Sequence, residues 1–294
     1  MTARYVYCLV DPTGNDPGTG TGTGTGTAAS PGDDAGPPTL ETTGLEDAPV
    51  RVVTADADVG VADADGTDST ADRPIAAVVH DCESLYDTDD EAELRRWLLA
   101  HQRVVDEATD AFGTPLPVRF DTVIEGGDDA LADWLASVGD AVRGGLADLA
   151  GCREYRTFVH WTGADEFEAR VRERDDRLAE LAAEREAASP GRGFLVGKQY
   201  DARLRDLRRE RVEELATALR EAVAPVARAV EETDAGALDG ADVEGEPVAR
   251  LAVLAAAADE ARLGDRLDDY VADRPVTVRF TGPWAPYSFA PDLG

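Results

Sequence analysis

The run Gly191-Arg-Gly-Phe-Leu-Val-Gly-Lys-Gln199 sets glycines ahead of Lys198, and it comes nearest to nucleotide chemistry. A phosphate-binding loop needs a glycine five residues before Gly197, and Arg192 stands there. Gln199 takes the place of the Ser or Thr whose hydroxyl would hold Mg²⁺. Phe194, Leu195 and Val196 occupy the positions whose backbone should wrap phosphate. ATP binding by this route is rejected. Lys198 is the only lysine in the chain, and a compact, strongly hydrated ammonium differs chemically from guanidinium. At a helix start beside Tyr200 it reads as an ion-pair partner for a carboxylate or as an interface contact. A Schiff base would need a substrate pocket that nothing in the sequence signals.

His80-Asp81-Cys82 puts an imidazole and a thiol on one strand face, and His101 could complete a three-ligand metal site on paper. The chain has 3 histidines, and none shows the paired spacing of zinc ligands. His80 reads as a strand-end residue and His101 as helix packing. Cys8, Cys82 and Cys152 are odd in number and far apart, as expected of structural thiols in a reducing compartment. The repeat Gly18 to Thr27 has no lysine and opens no helix, so it forms no phosphate cradle. No Gly-x-Ser-x-Gly occurs. These residues predict no enzyme, no cofactor and no metal.

These candidates sit in an unusual charge field. The 294 residues carry 60 Asp+Glu against 29 Lys+Arg, a formal net charge of −31. Such a surface repels itself in dilute salt, whereas molar salt shortens the screening length to about 3 Å. Arginine in place of lysine fits a salt-saturated cytoplasm. Acidity that serves solubility says little about partners, but it argues against nucleic acid, which requires a basic patch. Arg203 to Arg211 also carries Asp206 and Glu210 and reads as a solvated helix face. Tyr5 to Val10 is too short for a signal peptide, and no apolar run approaches the ~20 residues of a membrane span.

The patterning predicts an α+β chain of two domains. The first, 1–151, opens with the strand Arg4 to Val10, then short strands near Val50–Val53 and Ile75–Val79. A helix capped by Asp89 and Asp90 runs to Phe112. A strand from Leu116 to Ile124 and a helix from Asp128 to about Leu149 complete it. Residues 11–43 and 56–73 cannot offset their ordering entropy and read as disordered insertions.

The second domain, 152–294, opens with the strand Tyr155 to Trp161. Long charged helices follow at 165–188 and 199–230, an expected hairpin joined at Ser189 to Gly193 and kinked at Pro225. Their apolar seams either pair with each other or await a partner. After the loop Thr233 to Pro247 come the strand Ala249–Ala255, a helix Asp259 to about Ala272, and a terminal strand. This order suits a modified ferredoxin-like core with an open sheet edge.

In the terminal strand Val276, Val278 and Phe280 alternate, then Gly282-Pro-Trp-Ala-Pro-Tyr287 interrupts it. Two prolines forbid helix and central strand there, so Trp284 and Tyr287 ride a stiff turn that acts as a chain-ending plug or a docking surface. Gly282-Pro-Trp-Ala-Pro-Tyr-Ser-Phe289 resembles the C-terminal signature of the gas vesicle GvpF/GvpL family. Arg4 to Val10, His101 to Glu107, Leu116 to Ile124 and Phe194 to Tyr200 resemble the family's other blocks in order. The resemblance spans nearly the whole chain, departing at 11–43 and 56–73, and its length favours an L-type member.

It implies an accessory or minor structural protein of gas vesicle assembly that contacts the shell subunit and other accessory gas vesicle proteins without catalysis. The implied location is the gas vesicle and cytoplasm. Gly282, Pro283, Trp284, Pro286 and Tyr287, with Lys198 and Tyr200, are the expected interaction residues. Two other readings stay open: a nucleotide-dependent enzyme on a ferredoxin-like scaffold, and a self-associating helical adaptor.

Overall fold

The computed structural model describes residues 2–14, 38–54, 73–233 and 244–293. Among them the fold is mixed α/β, with two sheets and six α-helices. The chain divides into two compact units: Met1–Glu154 together with Pro283–Gly294, and Tyr155–Gly282. The expected second domain, 152–294, thus loses its last residues to the first unit.

In the first unit, β1 (Ala3–Val10) lies at the centre of the sheet and pairs antiparallel with β3 (Ala76–Cys82). β2 (Arg51–Thr54) adds to the far side of β3. The register of β1 slips between Val6 and Cys8. A bulge there reverses the alternation, so Tyr5 and Tyr7 share one core with Cys8 and Val10. That core is closed by α1 (Glu91–Phe112), whose buried Trp97, Val104, Val105, Ala108 and Phe112 recur at helical spacing. The Asp90 carboxylate accepts from the amides of Ala92 and Glu93, and Gly113, at φ 84°, ends the helix. α2 (Gly127–Leu149) follows.

The expected strand Leu116 to Ile124 is broken into β4 (Leu116–Pro117) and β5 (Val123–Glu125). Asp121 between them takes φ 66°, a conformation no strand residue adopts, and donates its amide to the Tyr5 hydroxyl at 3.2 Å. The expected disorder of 11–43 fails for 11–14, where the Gly14 amide closes a turn onto the Asp11 carbonyl at 3.2 Å, and for 38–43. Leu40 packs on the core, and the Thr42 amide donates to Glu107 at 2.9 Å. Residues 15–37 and 55–72 lie outside the described residues.

In the second unit the sheet order is β7-β8-β6-β9, from β6 (Cys152–Trp161), β7 (Ala229–Glu232), β8 (Glu246–Ala256) and β9 (Val276–Trp284). The helix expected at 165–188 is two helices, α3 (Ala164–Arg172) and α4 (Asp176–Ala187). Asp175 separates them because its carboxylate caps α4 through the Leu178 amide and also holds Arg203 at 2.6 Å.

The helix expected at 199–230 begins earlier, as α5 (Pro190–Val223), because proline is favoured at a first helical position. Pro225 ends α5 rather than kinking it, and Ala229–Glu232 forms β7. α6 (Glu260–Ala272) buries Leu263, Leu267 and Tyr270. Pro283 lies within β9, contrary to the expected break at Gly282. β9 is the last strand in the sheet order, and a sheet margin tolerates proline.

Candidate functional site

Inside the first unit, β1, β3 and α1 bring tyrosines and histidines together. The Leu45 amide donates to the Tyr7 hydroxyl at 3.0 Å. That hydroxyl lies 2.8 Å from His80 Nδ1, and His80 Nε2 lies 2.9 Å from the Tyr86 hydroxyl. One tautomer satisfies every group: Tyr7 Oη accepts from Leu45 and donates to Nδ1, and His80, protonated on Nε2, donates to Tyr86. Tyr5, having accepted from Asp121, faces His101 Nδ1 at 2.9 Å. The Tyr5 and His80 rings stack at 5.0 Å.

Burial sets the protonation states of this cluster. Desolvation holds both imidazoles near pKa 4, against 6.5 when free, with Asp81 opposing weakly at His80. Desolvation likewise pushes the Tyr5 and Tyr7 hydroxyls far above their ordinary range and Tyr86 up to about 12. Neutral imidazoles and un-ionised phenols make this a structural clamp. Gly44 leaves room for it: a Cβ there would fall 2.0 Å from the Tyr7 hydroxyl.

Cys82 does not join His80 and His101 in a metal site. Among the described residues no three His, Cys, Asp or Glu side chains converge on a point. Beside the clamp, Arg4 and Arg51 both bind Asp81 and Asp128 at 2.7 to 3.3 Å. Hydrogen bonds from Arg4 and then Arg51 hold the Asp128 carboxyl below its usual range.

The expected interaction residues separate. Gly282 and Pro283 are exposed and Trp284 is half-buried. Ala285 and Pro286 are buried. Tyr287 packs against the first unit's core, and its hydroxyl donates to Gln102 Oε1 at 3.3 Å. The Ser288 amide and hydroxyl donate to the two oxygens of buried Glu154, at 2.7 and 3.1 Å. The turn from Ala285 onward therefore fills the first unit.

Tyr200 is also internal, donating to Glu168 at 2.7 Å and packing with Leu178, Leu181 and Val196 between α4 and α5. The helical seams thus face each other. Among the described residues Lys198 meets no carboxylate, contrary to the ion-pair expectation; its Nζ lies 4.9 Å from the Phe194 ring centroid. The glycine run from Gly191 to Gln199 is helical and offers no loop of amides to a phosphate.

Sequence reasoning missed the clamp. Tyr5 and Tyr7 at strand spacing, with a histidine on each of two neighbouring elements, were the available signal. The pairing depends on contacts far apart in sequence.

The family model for the gas vesicle synthesis proteins GvpL/GvpF matches residues 3–291. This chain belongs to the GvpL/GvpF family. Its curated relatives include gas vesicle protein L1 of Halobacterium salinarum, 44% identical over 99% of this chain and 91% of the relative. Gas vesicle protein L2 of the same organism is 46% identical over 99% and 92%. Gas vesicle protein L of Haloferax mediterranei is 48% identical over 75% and 69%. The crystal structure of GvpF from an Anabaena species matches with a TM-score of 0.65 at 19% identity, covering 99% of each chain. GvpF from Microcystis aeruginosa gives 0.59 at 19% identity, covering 98% of this chain and 99% of the other. At that identity the GvpF structures speak to the fold alone. Haloarchaeal relatives fit the charge reading, and the chain is a gas vesicle protein. Among the described residues no helix is long and apolar enough to cross a membrane.

Proposed function

We propose that this protein is an L-type accessory or minor structural protein of gas vesicle assembly, adapted to a salt-rich cytoplasm. It binds the shell subunit and other accessory gas vesicle proteins, and it makes or breaks no bond. Its partners are polypeptides, neither nucleic acid nor membrane. The observation that carries this reading is the near full-length match to L-type gas vesicle proteins.

The second unit's element order, strand, helices, two strands, helix, strand, with sheet order β7-β8-β6-β9, supports the ferredoxin-like reading. The end of β9, with exposed Gly282 and Pro283 beside Trp284, and the exposed Lys198 are the surfaces assigned to partners. Pro286, Tyr287 and Tyr200 contribute by holding those surfaces in shape. The acidic exterior keeps a complex with an apolar shell subunit soluble.

The test is deletion in a gas-vesicle-forming host together with co-purification in molar KCl. The expected outcome is loss of vesicles on deletion and recovery of the shell subunit with the tagged protein. Vesicles forming normally without it, and no association with the shell subunit, would defeat the reading.

A further inference from the structure

At the tip of the α4–α5 hairpin, Val196 and Tyr200 face inward, while Phe194 and Leu195 are 63% and 62% exposed. The helix therefore keeps a second apolar face after its seam with α4 is filled. Cations border that face: Arg192 is exposed, and the Lys198 ammonium sits over the Phe194 ring. No carboxylate occurs between Glu186 and Asp201, in a chain where 60 of 294 residues are acidic. Ser189 makes no side-chain cap and the first turn of α5 holds no acid, so the positive end of the helix dipole adds to the same patch.

The backbone under this patch is soft. Gly191, Gly193 and Gly197 all lie within α5, where glycine weakens a helix. None is required by space: a Cβ at Gly191 meets nothing within 4 Å, and at Gly193 and Gly197 the nearest atoms are 3.8 and 4.0 Å away.

We propose, on the assembly reading above, that this tip docks an amphipathic segment of a partner gas vesicle protein. The segment's apolar face covers Phe194 and Leu195, and its bordering carboxylates meet Arg192 and Lys198. A symmetric contact with a second copy would set Arg192 and Lys198 against themselves, so the charge pattern favours a different polypeptide. In molar salt charges act only at contact range. The carboxylates must therefore touch the two cations, and the pliable first turns let the tip adjust to that fit.

The experiment measures binding of two designed helical peptides of about twenty residues to the full-length protein in molar KCl, by fluorescence anisotropy. One carries a leucine face bordered by glutamates, the other the same face bordered by lysines. The expected result is binding of the glutamate peptide, with the lysine peptide about tenfold weaker. Phe194→Ser with Leu195→Ser should abolish binding at an unchanged melting temperature. Arg192→Glu with Lys198→Glu should reverse the peptide preference.

Equal binding of both peptides, or binding indifferent to the serine pair, overturns the proposal. So does a dimer in sedimentation velocity that the serine pair dissolves, which would assign the seat to a second copy. Co-flotation with anionic lipid vesicles that the same pair abolishes also overturns it. Failure with designed peptides leaves the assembly reading standing, because that reading falls only with the deletion and co-purification results.

Discussion

The C-terminal turn and the hairpin tip carry the same kinds of residue, aromatics among glycine and proline beside a polar group, and their aromatics go opposite ways. At the turn, Tyr287 lies on the core, and Ser288 satisfies both oxygens of Glu154. At the tip, Phe194 stands in solvent under Lys198. Polar accounting explains the difference. The turn brings donors to a carboxylate buried beneath it, and withdrawing hydrogen bonds from a buried charge is costly. The tip has no such anchor. An aromatic–proline motif is therefore a fold element where it completes a buried polar set, and an available surface where it does not.

The largest expected break in that contrast is acidification, because Tyr287 packs beside the His101 ring at 6.4 Å and closes over the clamp. His80 and His101 are held near pKa 4, against 6.5 when free. Between those values the unfolded chain binds protons that the folded chain refuses. The stability from neutral imidazoles is therefore fully present above pH 6.5 and falls as the pH drops towards 4. Each histidine contributes about 3 kcal/mol to that loss. Protonating carboxylates would relieve self-repulsion and act in the opposite direction at low salt. Denaturant midpoints compared at neutral and mildly acidic pH should thus be taken in molar KCl. A flat stability profile across that window would mean the imidazoles are not sealed, and the clamp would lose its claim to be the fixed half of the comparison.

A smaller effect is expected from truncating one aromatic in each region. Tyr287→Ala removes a half-buried ring and the bond to Gln102, and should cost about 2 kcal/mol, between a surface change and a full core deletion. Phe194→Ala should move stability by less than about 0.5 kcal/mol, losing only exposed area and the contact with Lys198. Thermal melts of the two variants side by side measure the contrast directly. Equal losses would show that the tip is as tightly held as the turn.

Much of the fold was legible because its periodicities are strong. β1, α1, α2, β6 and α6 follow from alternation or helical spacing, and the Asp90 cap and Gly113 stop were readable locally. What was not legible depends on distant partners. Asp121 breaks a strand pattern because the Tyr5 hydroxyl takes its amide. Residues 38–43 read as insertion, yet Glu107 of α1 holds the Thr42 amide. β7 reads as a helix end until Pro225 stops α5 and β8 pairs with the residues that follow. At the candidate sites, the two-proline turn picked out Tyr287 and composition picked out Lys198, but neither revealed their settings. Whether Tyr287 turns inward depends on Glu154 and Gln102, which lie more than a hundred residues away in the chain.

The smallest effect has the opposite sign and concerns the tip alone. Replacing Gly191, Gly193 and Gly197 by alanine adds a methyl that meets nothing closer than 3.8 Å at any of the three sites. Each substitution should stabilise α5 by about 0.5–1 kcal/mol, through reduced backbone entropy of the unfolded chain and better helix propensity. The gain should appear first as slower amide hydrogen exchange in Pro190 to Lys198, since helix ends open locally without global unfolding. The clamp and the C-terminal turn should exchange as before, because the atoms nearest these glycines belong to Arg185 and Ala188 of the same hairpin. If the alanines instead destabilise the protein, the glycines answer to a steric demand of the hairpin. The tip would then be a packed element like the turn, and the contrast between the two regions would collapse.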